Sequence, residues 1–335
     1  SLLWKQSSGL MARSVTQNAG DHGEHYITRD KKEYWAMFYS AAGGGVLIAL
    51  MALFKTYLGS IIDDKVWKGI AEGLNYGLGF MVIFMLHFTV ATKQPAMTAA
   101  RFAEAVEKTP QGKTVNMKLA QLLVDVFRSQ SIAVLGNVLI AMGLAALIAF
   151  GYQYKTGEPL MNADQIAYQL HSIDPFAGTL WFAAIAGVWL FCSGIISGYF
   201  DNRSNYLNMR MRLTQHPLLK KLMSEKTRVK FANYMHENYG SLIGNLCFGM
   251  LLGITGVVGY LTHLPLDIRH VAFSSANVGY IAVSGHFTYS LLLQCIGFVL
   301  LIGLVNLIVS FSLTLWVALR SLNAEIDSWW PIWHE

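Results

Sequence analysis

A chain of 335 residues with 54% apolar and 13% charged side chains carries about half the charge that covers a typical soluble domain. That shortfall excludes a water-soluble globule of this size and points to a polytopic membrane protein. The formal net charge of +5 does not by itself mark a nucleic-acid binder, because the distribution of charge along the chain decides its meaning.

The opening segment, 1–34, is polar and shows no secretory signal. The chain starts at Ser1, so a fragment is expected, with a further domain upstream. Within this segment His22 and His25 stand near Glu24 and Glu33. Residues three apart share a helix face, but no third ligand stands at a convincing spacing, so these read as surface side chains and no metal site is expected.

Six stretches then reach the ~20 helical residues needed to cross ~30 Å of hydrocarbon. They lie at about 35–57, 73–91, 132–152, 179–199, 242–261 and 289–316. Nothing alternates as barrel strands do, and in lipid only helices and closed barrels satisfy their own backbone. Trp35, Tyr57, Trp67, Tyr152, Tyr199, Tyr260 and Trp316 fall near the ends of apolar runs, as an interfacial belt would. The expected fold is an all-α transmembrane helix bundle of about six spans plus a re-entrant or interfacial segment. One domain, 35–316, holds the bundle, followed by a tail at 317–335.

Most of the 25 Lys and Arg residues lie in the N-terminal segment, 92–131 and 200–241. The positive-inside rule places these in the cytoplasm, with the N-terminus inside. Both connections read as helical. Pro95 opens one helix, a turn follows at 109–112, and 116–130 runs into the third span; 201–213 continues the fourth span, His216–Pro217 breaks it, and 225–238 follows.

Small residues recur at helical spacing: Gly69, Gly73 and Gly77, then Gly194 and Gly198, Gly240 and Gly244, Gly249 and Gly253. Such rows let helices approach closely in lipid, giving a tight bundle and leaving room for a homo-oligomer. The run Gly43–Gly45 is a candidate kink in the first span. Cys192, Cys247 and Cys295 lie scattered in apolar stretches, which fits neither a disulfide framework nor a thiolate metal site.

The stretch LPLDIRHVAFSSANVGYIAVSG at 264–285 is too short in its apolar part to span. In one reading it is a pocket wall, in which Arg269 and His270 meet an anion and Ser274, Ser275 and Asn277 supply hydrogen bonds. In the other it is an amphipathic helix outside the membrane with Asp267 and Arg269 solvated. His87 is expected about a turn and a half inside the second span, where an ionisable group relays protons, binds a headgroup or rests as a neutral imidazole. Arg203, with Arg210 and Arg212, stands where the fourth span leaves the membrane and can meet phospholipid phosphates; positive-inside bias alone would place it there too. There is no phosphate-binding loop, dinucleotide fingerprint, zinc-protease motif or nucleophile elbow, and the sequence names no cofactor.

Four blocks carry a family resemblance: GEHYITRDKKEYWAMFYSAAGGG from Gly23, LHFTVATKQPAMTAARFA from Leu86, GYFDNRSNYLNMRMRL from Gly198 and LPLDIRHVAFSSANVGY from Leu264. Together they resemble the bacterial membrane proteins labelled site-specific recombinase, of the gonococcal-recombinase type. The resemblance implies a bacterial inner membrane as the location and a longer protein with an additional N-terminal half, and its label implies DNA strand exchange. It supplies no catalytic or binding residues to carry over. A tyrosine recombinase needs a Tyr nucleophile with Arg and His around the phosphate, and a serine recombinase needs a Ser with several Arg. The one adjacent Arg-His pair, Arg269-His270, is expected to face away from the cytoplasm, and Tyr206, Tyr234 and Tyr239 have basic neighbours but no such pattern. The basic stretch 203–230 can meet phosphates without sequence preference, so DNA is not an expected partner of this chain. Membrane lipids are. Polar residues at membrane depth, namely His87, Asn245, Arg269, Asn277 and Asn306, favour a pocket for a small solute or lipid headgroup. The alternatives are a membrane scaffold for an N-terminal domain and the recombinase of the family label.

Overall fold

The computed structural model describes residues 27–28, 30–91, 94–108, 113–284 and 287–322. Among these the chain is all-α. Its helices are α1 Lys31–Ile61, α2 Lys65–Met85, α3 Gln94–Lys108, α4 Lys113–Thr156, α5 Ala163–Ile173, α6 Thr179–Tyr206, α7 Met209–Gln215, α8 Pro217–Leu222, α9 Glu225–Thr262, α10 Val271–Ala282 and α11 Tyr289–Leu322. The His22–His25 pair, the turn at 109–112 and the tail beyond 322 lie outside the described residues.

Side-chain caps set several helix starts. Asp30 Oδ1 accepts from Glu33 N at 2.8 Å, and Asp64 Oδ1 accepts from Val66 N at 3.0 Å and Trp67 N at 2.9 Å. Asn162 and Gln165 form a reciprocal capping box on α5. Each cap satisfies amides that have no partner inside the helix.

Five helices are long and apolar enough to cross a membrane: α1, α4 from Ala120, α6, α9 and α11. The aromatics expected at an interface are exposed, from Trp35 on α1 to Trp316 on α11. The second stretch departs from expectation. Instead of 73–91, the helix runs from Lys65 to Met85, and its first half carries Lys65, Lys68 and Glu72. It stops where His87 takes a left-handed backbone with φ 58°. After that turn, Asn137 of α4 holds the chain. Its Oδ1 accepts from Ala91 N at 2.8 Å, and its Nδ2 donates to Thr89 O at 2.9 Å and Ala41 O at 2.5 Å. The fourth stretch also differs, because α6 ends at Tyr206 and a left-handed Asn208, φ 47°, separates it from α7.

Glycine rows set the closest helix approaches. On α9 a side chain at Gly249 would overlap the backbone of Gly77, and one at Gly253 would overlap Gly73, both on α2. Gly240 N donates to the buried Asp201 Oδ1 of α6 at 2.8 Å. The run Gly43–Gly45 lies within one unbroken helix, α1. Gly45 faces Asn137 O and Ala141 N of α4, at 2.9 and 3.1 Å from where its Cβ would stand, so here the glycines serve packing.

The ends of the bundle are distinct. At one end α3 packs Phe102 and Ala103 against Leu315 and Ala318 of α11. At the other, called distal here, the end of α1, the start of α2, α5 and the end of α9 gather around the segment 263–270. That segment turns back along α9. Leu266 lies against Gly259, Asp267 near Gly256, and the His270 ring is 5.8 Å from that of Phe248. Phe248 is about 21 Å along the helix from Thr262 at 1.5 Å per residue. The segment therefore folds back along α9 before α10, nearly all of whose residues are buried.

Candidate functional site

Asp267–His270, on the segment that folds back along α9, floor a cavity of about 580 Å³ at the distal end. Lys55 of α1, Lys65, Lys68 and Glu72 of α2, Tyr168 of α5 and Tyr260 of α9 form much of its wall. Lys65, Lys68 and Glu72 are spaced three and four residues apart, which places them on one helix face. Lys55 Nζ stands 3.5 Å from Glu72 Oε2 and 5.6 Å from the Tyr76 ring centre. Lys65 Nζ lies 4.4 Å above the Tyr260 ring, close enough for a cation–π attraction.

Arg269 is the keystone of the floor. Its Nε donates to Ser172 O at 2.7 Å, and its Nη1 donates to Asp267 Oδ2 at 2.6 Å and to Ile268 O at 2.8 Å. The guanidinium also stacks 5.2 Å from the Phe182 ring, and Arg269 N donates to Phe182 O at 3.2 Å. Charge-assisted bonds of this length are the strong ones, so the side chain fixes α5, α6 and the floor to one another. Arg269 also lines the cavity.

Below it, Asn306 of α11 joins three segments. Its Nδ2 donates to Ala183 O at 2.7 Å and to Arg269 O at 3.0 Å, and its Oδ1 accepts from Val271 N at 3.1 Å. Tyr280 at the far end of α10 donates to Ala49 O at 2.7 Å. The short helix is thus tied at both ends to long ones.

The residues singled out in the sequence divide into groups. Arg269, His270, Ser274 and Asn277 all line the cavity; Ser274 and Asn277, three apart, share a face of α10. His270 is buried against the rings of Phe80, Phe248 and Phe273, at 6.1, 5.8 and 5.7 Å. Ser275 is 0% exposed and turns elsewhere, donating to Ala272 O at 2.7 Å. Asp267 and Arg269 are bonded to each other, which departs from the reading in which both are merely solvated. His87 is exposed in the turn after α2 and not within the helix. Its carbonyl accepts from Ser40 Oγ at 3.1 Å. Arg203 sits in the last turn of α6, and neither it nor His87 lines the cavity.

Sequence reasoning passed over the wall. Lys55, Lys65 and Lys68 look like flanking residues of apolar runs, and the helix at 163–173 is too short to register as a span. The signal available was the face shared by Lys65, Lys68 and Glu72, together with the Asn162–Gln165 capping pattern. Among the described residues no group of three or more His, Cys, Asp or Glu is placed to hold a metal ion.

An all-helical chain with five such apolar helices has the character of a membrane protein. A family model described as site-specific recombinase matches residues 1–335, and the chain belongs to that family. No curated protein and no solved structure matches it.

Proposed function

We propose that this chain is a multi-pass inner-membrane protein with a cytoplasmic N-terminus, whose distal cavity opens to the outside and receives a small polar solute or a lipid headgroup. The observation that carries the reading is the cavity itself, floored by Asp267–His270 and lined by charged groups. Its volume falls within the 300–1,000 Å³ typical of small-molecule sites, and it excludes a DNA duplex. Non-helical backbone at membrane depth is tolerated where it is buried in protein or lines a wet cavity, and Asp267–His270 lines this one. The clustering of Lys and Arg in alternate connections supports the orientation. The same placement leaves the Arg269-His270 pair out of reach of DNA, so the reading assigns no strand-exchange chemistry to these residues.

The test is ligand-dependent stability of the purified chain. Glycerol 3-phosphate, phosphocholine, small carboxylates and soluble short-chain phospholipids form the panel. A true ligand at a hundred times its Kd stabilises by about 2.7 kcal/mol. Asn277→Trp, which fills the cavity from the floor, is expected to abolish the shift without unfolding the chain. If no compound stabilises the parent, or the same shift persists in Asn277→Trp, the cavity is not the site and a structural scaffold remains.

A further inference from the structure

Beside the charged cavity, a second cavity of about 890 Å³ opens between α1 and the distal end of α4. The two share Thr56, Asn162 and Gln165 as lining residues, so they adjoin across these side chains and differ in character. The second is mainly apolar, lined by Leu50, Leu53, Phe54 and Tyr57 of α1, Tyr152 of α4 and Leu160, with Ser60 and Glu158 also in its wall. Leu50 and Phe54 are 46% and 47% exposed, so this groove opens sideways from the bundle. A polar solute would leave the apolar groove unused, and a purely apolar one would strand the lysines of the first cavity without solvent. An amphiphile satisfies both.

The sign of its head follows from the charges. The first cavity is lined by Lys55, Lys65, Lys68 and Arg269, and by the carboxylates Glu72, Asp164 and Asp267. Asp267 is bonded to Arg269 at 2.6 Å, and Glu72 faces Lys55 at 3.5 Å. Asp164 lies in the first turn of α5, where the helix dipole offsets a negative charge. Glu158 lines the adjoining groove, while Lys65 and Lys68, three apart on one face of α2, set two cations side by side in the cavity wall. We propose that the occupant is a membrane lipid with an anionic phosphate headgroup, its head beside Lys65 and Lys68 and one acyl chain in the α1–α4 groove. This rests on the cavity being a ligand site, as proposed above.

The experiment uses the full chain in phosphatidylcholine nanodiscs doped with phosphatidylglycerol that carries a diazirine in one acyl chain. After photolysis, adducts are mapped by peptide. They are expected to concentrate on 50–57, and to exceed those on the exposed Leu304 and Ile308 of α11. The double variant Lys65→Glu, Lys68→Glu should lower the groove adducts roughly tenfold, as reversing charges near an anionic headgroup does. Adducts at Leu304 and Ile308 should be unchanged, which also reports a folded chain. Leu50→Trp, which narrows the groove and leaves the charges intact, should lower them as well. Unlabelled phosphatidylglycerol should compete and glycerol 3-phosphate should not. Equal labelling of 50–57 and α11, insensitive to both variants, would mean bulk lipid and overturn the proposal. Competition by glycerol 3-phosphate as strong as by the lipid would overturn the acyl groove while leaving the solute cavity standing.

Discussion

Replacing Asn306 with leucine is expected to destabilise the folded chain by about 3 kcal/mol, since each buried polar group left without its partner costs about 1–3 kcal/mol. Asn306 is 0% exposed, and its side chain serves Ala183 O, Arg269 O and Val271 N. Leucine matches the volume and serves none of them. Ala183 O lies within α6 and retains its helical role, so the loss falls on the floor. Val271 N opens α10 and has no earlier turn to donate to, and Arg269 O belongs to the extended stretch before it. The consequence reaches the site, because the floor that carries Ser274 and Asn277 loses its anchor to α11. Reversible unfolding in mixed micelles measures the cost. A loss below about 1 kcal/mol would show that water or a neighbouring helix satisfies those groups, as bonds between helices in membranes often prove weak.

Gly249→Leu is expected to cost roughly 2–3 kcal/mol, the upper range for overpacking a dense interior. A Cβ at Gly249 would overlap Gly77 N and Tyr76 C, and these are backbone atoms that cannot rotate away. The only relief is to push α2 from α9. Because α2 carries Lys65, Lys68 and Glu72, the cavity wall would move with it, and ligand-dependent stabilisation should fall together with stability. Gly297→Ala in α11 is the control. Nothing lies within 4 Å of its added Cβ, and alanine is favoured over glycine in a helix by about 1 kcal/mol. If both substitutions behave alike in an unfolding assay, the α2–α9 contact is not as close as described.

Much of the architecture was legible because long apolar runs in a low-charge chain leave few alternatives to membrane helices. The continuity of α4 with its polar leading turns could be read from helical pattern, as could the break before Pro217, whereas 225–238 read as a separate helix and instead runs unbroken from Glu225 to Thr262 in α9. Other features were not legible for stateable reasons. The second helix was misplaced because its charged first half looked like a connection, when those charges line a cavity. Asn208 ended α6 through a left-handed backbone that asparagine tolerates better than most residues, but nothing in the sequence demanded it. The segment 264–285 was recognisable as unusual from its length and its Asp267–His270 tetrad. Whether Arg269 was solvated or engaged depended on Ser172 and Phe182, distant in sequence. Ser274, Ser275 and Asn277 formed one polar group in the sequence, whereas helical geometry sends Ser275 to the opposite side. Lys55 joined the site only because α1 and α2 pack side by side.

The central claim is that the cavity above α10 is wet and open to the outside. The most direct test is thiol accessibility in intact cells expressing the chain with Cys192, Cys247 and Cys295 replaced. Single cysteines are introduced as Asn277→Cys, which lines the cavity, and Ser275→Cys, at a position that is 0% exposed. A membrane-impermeant maleimide added from outside should label the first and spare the second. If Asn277→Cys is labelled only after the cells are opened, the cavity faces the other way. If it is not labelled under either condition, the floor is dry packing and the account of a ligand site is contradicted.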